Sequence, residues 1–132
     1  TKTLYLKQGH EKEFIIVDAG MNDLMRPSLY GAYHGIIPLK RYRRADTFAD
    51  VVGPICESGD FFAKEREMPG VRQGEYLAVM SAGAYGFSMS SNYNSRPRPA
   101  EVMVKGRKHF LIRERETYKT LIGGEKIPGF LK

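Results

Sequence analysis

The apolar residues of this chain fall in short runs that Gly, Pro, Asn and Asp interrupt. Runs of this length bounded by turn residues are typical of β-strands, whereas long stretches with helical spacing are scarce. We therefore predict strands at 3–6, 13–18, 36–42, 51–55, 61–64, 76–80, 100–104 and 108–113. Lys105-Gly106-Arg107 is predicted to close the last pair as a short hairpin.

Three segments have helical character. Segment 26–34 begins with Arg26-Pro27, and proline is well tolerated in a first helical turn. Segment 83–93 is rich in small residues, and segment 116–122 ends at Gly123-Gly124, a stop signal. The pattern predicts an all-β domain, a Greek-key β-sandwich or barrel-like fold with a few short helices. Since neither a repeat nor a linker interrupts the chain, residues 1–132 are predicted to form a single domain.

Length and composition restrict the class of protein. A chain of 132 residues is long enough to bury a core without disulfides. Its one cysteine fits a reducing, cytoplasmic setting, and we expect no membrane span. The formal charge of +6 permits an anionic partner without identifying one, since basic surfaces also serve solubility. Because the chain starts at Thr1 and enters a strand at once, we expect it to be a piece of a longer protein.

The single cysteine lies in the segment Cys56-Glu57-Ser58-Gly59-Asp60. A carboxylate beside a thiol disfavours the thiolate, so the arrangement suits a proton donor better than a nucleophile. Neighbouring side chains in a strand point to opposite faces, so Cys56 and Glu57 face one site only where the chain turns. Ser58-Gly59-Asp60 provides that turn. The alternative is that Cys56 is simply a small buried hydrophobe, as free cysteines often are.

Two further segments carry candidate binding groups. A helical turn at 26–30 sets Arg26 and Tyr30 on one face, where a guanidinium fork and a phenol could hold a carboxylate. Alternatively, Arg26 bonds local backbone and Tyr30 packs in the core. Tyr85 stands among small residues that leave room for a ligand, although a core tyrosine at a tight contact is the more common outcome.

Taken together, these segments resemble the diaminopimelate decarboxylase family in order and spacing. The resemblance covers nearly the whole chain and rests on a set of segments that are weak singly and specific together. They are 18–23 (Asp-Ala-Gly-Met-Asn-Asp), 26–30 (Arg-Pro-Ser-Leu-Tyr), 56–60 (Cys-Glu-Ser-Gly-Asp), 83–85 (Gly-Ala-Tyr), 90–94 (Ser-Ser-Asn-Tyr-Asn) and 98–99 (Arg-Pro).

The resemblance implies the C-terminal β domain of a fold-type III enzyme that uses pyridoxal 5′-phosphate (PLP) to decarboxylate meso-2,6-diaminopimelate to L-lysine and CO2. It implies that Cys56 is the general acid, that Glu57, Arg26 and Tyr30 bind substrate, and that Tyr85 contacts cofactor and substrate. It further implies a homodimer with shared active sites. The family's N-terminal PLP barrel, with its Schiff-base lysine, is missing from this sequence, so the chain alone is expected to be inactive.

Other functions remain as alternatives. A small basic β-barrel could bind nucleic acid through stacked tyrosines above a cationic groove. A cysteine hydrolase would pair Cys56 with His34 or His109, although Glu57 disfavours the thiolate such an enzyme needs. No metal site is expected, because the histidines are scattered and a second cysteine is lacking.

Overall fold

Eight strands and three short helices make up the regular structure of a computed structural model, which describes residues 1–10 and 12–131. The strands are β1 (Thr3–Gln8), β2 (Glu13–Val17), β3 (Ile36–Pro38), β4 (Asp46–Val52), β5 (Phe61–Pro69), β6 (Leu77–Val79), β7 (Glu101–Lys105) and β8 (Lys108–Arg113). The helices are α1 (Arg26–Tyr30), α2 (Gly86–Met89) and α3 (Tyr118–Leu121). By their internal contacts the residues divide into two compact units, Thr1–Ser90 and a second unit from Ser91 onward.

The first unit is built on a four-stranded sheet with the order β1-β2-β4-β5. The pairs β1–β2 and β4–β5 are antiparallel, and the central pair β2–β4 is parallel. Between β2 and β4 the chain leaves this sheet to form α1 and β3, and β3 pairs with β6 in a small antiparallel sheet. Arg26 and Tyr30 lie in this segment, Cys56 and Glu57 lie in the connection between β4 and β5, and Tyr85 lies between β6 and α2.

The hydrophobic core lies entirely within the first unit. Ile15 and Val17 of β2 and Val51 of β4 are fully buried, as period-two alternation on a half-buried sheet requires. Burying an aliphatic side chain of this size contributes roughly 1.5–3 kcal/mol. The cluster consists of Ile15, Val17, Leu24, Ile36, Ala49, Val51, Phe62, Ala63, Met68, Val71 and Leu77.

Several bounds differ from the predicted ones for identifiable reasons. The strand predicted at 51–55 runs instead from Asp46 to Val52, because its residues 46–49 pair with the far end of β5. The prediction that this strand reaches the cysteine was therefore wrong. The helix predicted over 26–34 ends at Tyr30, since Gly31 adopts a left-handed conformation (φ 62°) that stops it.

The second unit contains the predicted hairpin of β7 and β8. Lys105 pairs with Lys108, and Gly106 takes φ 59° in the two-residue turn, so the predicted hairpin is confirmed. A polar cluster joins the segment before β7 to the one after β8: Arg98 bonds the carboxylate of Glu116 (3.0 Å) and the side-chain oxygen of Asn92 (2.7 Å). None of the described residues in this unit is buried.

The predicted fold class is confirmed at the level of a sheet-dominated chain with a few short helices. No closed barrel occurs among the residues that the structure describes. Within the same residues, the helices are too short to cross a membrane.

Candidate active site

The cysteine lies in a tight loop between β4 and β5. A hydrogen bond joins the two ends of the loop: the amide of Gly53 donates to the carbonyl of Asp60 (2.9 Å). Inside it the amide of Asp60 donates to the carbonyl of Glu57 (3.0 Å), and the amide of Gly59 donates to the Glu57 carboxylate (3.2 Å). The chain therefore turns directly after the cysteine, and both Cys56 and Glu57 are exposed.

Asp60 ties this loop to the segment that leads into α1. Its carboxylate is buried, with 3% of the residue exposed, and each oxygen accepts one backbone N–H. Oδ2 accepts from Ile55, next to the cysteine (2.8 Å), and Oδ1 accepts from Met21 (2.7 Å). Two segments that lie far apart in sequence thus share one anchor.

The loop also packs directly on α1. A Cβ at Gly59 would lie 2.7 Å from the Ser28 hydroxyl and 3.3 Å from the Met21 side chain, so the backbone approaches the helix more closely than other residues allow. Within α1, Pro27 is buried and fixes the first turn. The Cys56–Asp60 loop is therefore held against the helix that carries Arg26 and Tyr30.

Helix α1 presents both predicted binding residues. Tyr30 is 66% exposed, so the alternative that it packs in the core is wrong. Arg26 is partly buried, and its Nε is a buried donor without a hydrogen-bond partner among the described residues. An orphan donor of this kind favours an acceptor supplied from outside the chain.

Tyr85 lies against Arg26. The Arg26 guanidinium carbon is 4.5 Å from the centre of the Tyr85 ring, within the range of a cation–π interaction. Half of Tyr85 is exposed, so the alternative of a core tyrosine does not hold. One unit of the fold therefore assembles the loop of Cys56 and Glu57, the helix of Arg26 and Tyr30, and Tyr85.

An open groove of about 440 Å³ lies beside the cysteine. Its wall comprises Lys7, Phe14, Ile16 and residues 52–56, so it is largely apolar and the other four candidate residues are not part of it. The sulfur of Cys56 thus faces space outside the core.

The role of Asp60 as an anchor has no signal in the sequence. The sequence places this residue only in a turn, because nothing in one sequence indicates a bond to an amide 39 positions away. The hydrolase alternative finds no support in His34, which is buried and whose Nδ1 lies 3.0 Å from the carbonyl of Met80. In the part of the chain that the structure describes, no group of three or more potential metal ligands comes together.

The chain is similar to proteins of one family. Residues 1–83 match the family model of the pyridoxal-dependent decarboxylase, C-terminal sheet domain. The chain is 59% identical over 122 residues to a diaminopimelate decarboxylase of Aquifex aeolicus, covering 92% of the chain and 29% of that protein. It is 52% identical over 128 residues to that of Vibrio cholerae, covering 96% of the chain and 30% of that protein.

A solved structure from the same family also resembles the chain. The diaminopimelate decarboxylase of M. jannaschii, in complex with L-lysine, superposes with a TM-score of 0.93 at 43% identity, covering 99% of this chain and 30% of that one. The chain thus spans about three-tenths of the length of the relatives it matches. These comparisons give no support to nucleic-acid binding.

Proposed function

Because the chain belongs to the pyridoxal-dependent decarboxylase family, as its C-terminal sheet domain, we propose that it is part of a diaminopimelate decarboxylase. The reaction is the conversion of meso-2,6-diaminopimelate to L-lysine and CO2. We base the proposal on the contact of the Cys56–Asp60 loop with α1, which holds the segment carrying Glu57 next to the helix that carries Arg26. Relatives that share about half of the sequence carry this activity in their names.

Substrate recognition follows from the charges. The end of diaminopimelate that does not react carries a carboxylate and an ammonium group, and each needs a group of opposite charge. Arg26 offers a planar fork for the carboxylate, with Tyr30 four positions on as a second donor. Glu57, exposed beside the cysteine, suits the ammonium group.

Cys56 is proposed as the general acid. Loss of CO2 leaves an electron pair on the substrate carbon, and a proton must be delivered to it. A thiol is mostly protonated at neutral pH, and an exposed one reaches a group outside its own chain. The S–H bond breaks, a C–H bond forms at that carbon, and the thiolate recovers its proton from water.

Pyridoxal phosphate is the cofactor we propose. An exposed Tyr85 ring fits a planar group. Tyr85 would contact the cofactor, and the lysine that holds it would lie in the rest of the protein. When bound, the cofactor supplies the electron sink for the loss of CO2.

The assembly is proposed to be a homodimer in which the exposed Cys56 and Glu57 complete the partner subunit's site. We further propose that residues 1–132 form one C-terminal domain behind an N-terminal barrel. Its sheets would form a Greek-key sandwich or barrel-like fold, and the departure of β3 from the main sheet to pair with β6 supports such crossing connections. A single exposed thiol fits a reducing cytoplasm.

The full-length protein tests this function directly. Incubated with pyridoxal phosphate and meso-diaminopimelate, it should release lysine and CO2 in equal amounts, measured by chromatography and CO2 trapping. L-Lysine and L-ornithine lack the distal carboxylate and should give little product, because they leave Arg26 unpaired. Decarboxylation of either in preference to diaminopimelate would refute the substrate assignment. The 132-residue chain alone should give no product.

A further inference from the structure

The carboxylate of Asp60 does not belong to the groups proposed to touch substrate, yet it connects two of the segments that carry them. It is almost fully buried, and both of its oxygens accept backbone N–H groups from separate segments, those of Ile55 and Met21. Charge-assisted bonds of this kind are short and strong where water is excluded. The carboxylate thus acts as a clamp between the cysteine loop and the segment leading into α1.

Close backbone contacts restrict the position of the Asp60 carboxylate. A Cβ at Gly53 would lie 2.2 Å from both Asp60 oxygens, so only glycine fits where the loop opens. At its other end, Gly59 lies against Ser28 and Met21. The position of the carboxylate, and with it that of the loop, is therefore determined from two sides.

We propose that Asp60 is a positioning residue for proton transfer: its carboxylate fixes the loop from which Cys56 reaches the substrate carbon. This rests on the function proposed above. General-acid catalysis depends on the distance between the donor and the carbon, and a displacement of about 1 Å can reduce the rate about 100-fold. Only a group with two acceptors satisfies both N–H groups, so an amide at position 60 would face one of them with its own NH2.

The test is Asp60→Asn in the full-length holoenzyme, which preserves the volume of the side chain. We expect kcat to fall about 10–100-fold while KM for diaminopimelate changes less than about threefold. Amide hydrogen exchange measured by mass spectrometry should accelerate in peptides covering 53–60 and 19–24, because one N–H loses its acceptor and the connection between the two segments is broken. Exchange elsewhere in residues 1–90 should stay unchanged.

Asp50→Asn is the matched control. Asp50 is also buried, at 4% exposure, and its partners, the amide of Glu65 (2.7 Å) and Nζ of Lys12 (2.7 Å), lie outside the cysteine loop. This variant should keep wild-type kcat and wild-type exchange in the two peptides. If it reproduces the Asp60 effects, loss of any buried carboxylate is sufficient and the positioning role is refuted.

A double-mutant cycle with Cys56→Ala separates positioning from general stability. If Asp60 acts through Cys56, Asp60→Asn should lower kcat less than about threefold when the thiol is already absent. An equal loss in both backgrounds, unchanged kcat in the single variant, or faster exchange throughout the unit would each overturn the proposal.

If Asp60→Asn fails to fold, Gly53→Ala takes its place in the same double-mutant cycle, because it displaces the carboxylate without removing it. Failure of the wild-type enzyme to form lysine would instead reject the proposed function, and hydrogen exchange would still decide whether Asp60 holds the loop.

Discussion

The guanidinium of Arg26 lies over the ring of Tyr85, with 4.5 Å between the guanidinium carbon and the ring centre. Arg26 opens α1, whereas Tyr85 immediately precedes α2, so the contact joins two separate excursions from the main sheet. A flat guanidinium stacked on a ring keeps its edges open for hydrogen bonds. The stack therefore fixes the plane of the guanidinium without using the donors that we propose bind a carboxylate.

Tyr85→Ala should weaken substrate use more than Tyr85→Phe in the full-length enzyme. Phenylalanine keeps the aromatic face, and an exposed cation–π pair contributes about 0.5–1 kcal/mol, which corresponds to a difference of about two- to fivefold in kcat/KM. Steady-state kinetics with diaminopimelate measure it. Tyr76→Ala, at a similarly exposed tyrosine, is the control, and equal effects of Phe and Ala at position 85 would show that the stack has no role.

Arg26→Ala should chiefly raise KM for diaminopimelate. A hydrogen bond to a charged group contributes about 1.5–3 kcal/mol, so we expect a rise of about 10- to 100-fold. Arg26→Lys should recover only part of this loss, because an ammonium group lacks the fork. Arg43→Ala removes an exposed charge from the basic segment 40–44 and should behave as wild type. An unchanged KM in Arg26→Ala would exclude this residue from carboxylate recognition.

Cys56→Ala should slow turnover far more than it weakens substrate binding. Removing a general acid typically costs about 10²–10⁴-fold in rate. Single-turnover kinetics separate the two quantities, and Ser58→Ala, in the same exposed loop, is the control that should keep the wild-type rate. Loss of binding and turnover in equal measure would contradict the role of proton donor.

The local parts of the fold were predictable from sequence, and the parts that depend on distant partners were not. The hairpin of β7 and β8 was predicted within one residue because its turn, Gly106-Arg107, lies within it. The early start of β4 was missed, because Asp46 and Thr47 lack a strand pattern and become a strand only by pairing with Pro69 and Met68. The parallel pairing of β2 with β4 has no local signal either.

In the candidate site, too, the features set by neighbouring residues were predictable and those set by distant residues were not. Cys56 and Glu57 were singled out because the turn chemistry that exposes them is adjacent in sequence, and Arg26 and Tyr30 because helical spacing places them on one face. The bonds that bring the two segments together were not predicted. They depend on Asp60 and Met21, which lie 39 positions apart in the sequence.

The ion pair between Arg44 and Glu75 predicts how stability depends on pH. Both guanidinium nitrogens Nη1 and Nη2 bond the carboxylate at 2.7 Å, and the amide of Arg72 adds a third bond (2.9 Å). The hydrogen bonds from Arg44, opposed by partial burial, lower the pKa of Glu75 from 4.5 to about 2. The folded chain therefore favours the ionised carboxylate more than the unfolded chain does.

This contribution is complete above pH 4.5, decreases as the pH falls, and is lost below about pH 2. Glu75→Gln should thus destabilise the chain at neutral pH and show a smaller further loss than wild type between pH 4.5 and 2. Urea unfolding followed by circular dichroism across this range measures both effects.

Glu67→Gln, at an exposed position of β5, is the control and should follow the wild-type curve. Hydrogen bonds also lower the pKa values of Asp18 and Glu116, so the acid-induced loss should shrink in Glu75→Gln rather than vanish. Parallel pH curves for wild type and Glu75→Gln would show that the pair between Arg44 and Glu75 is not formed in solution.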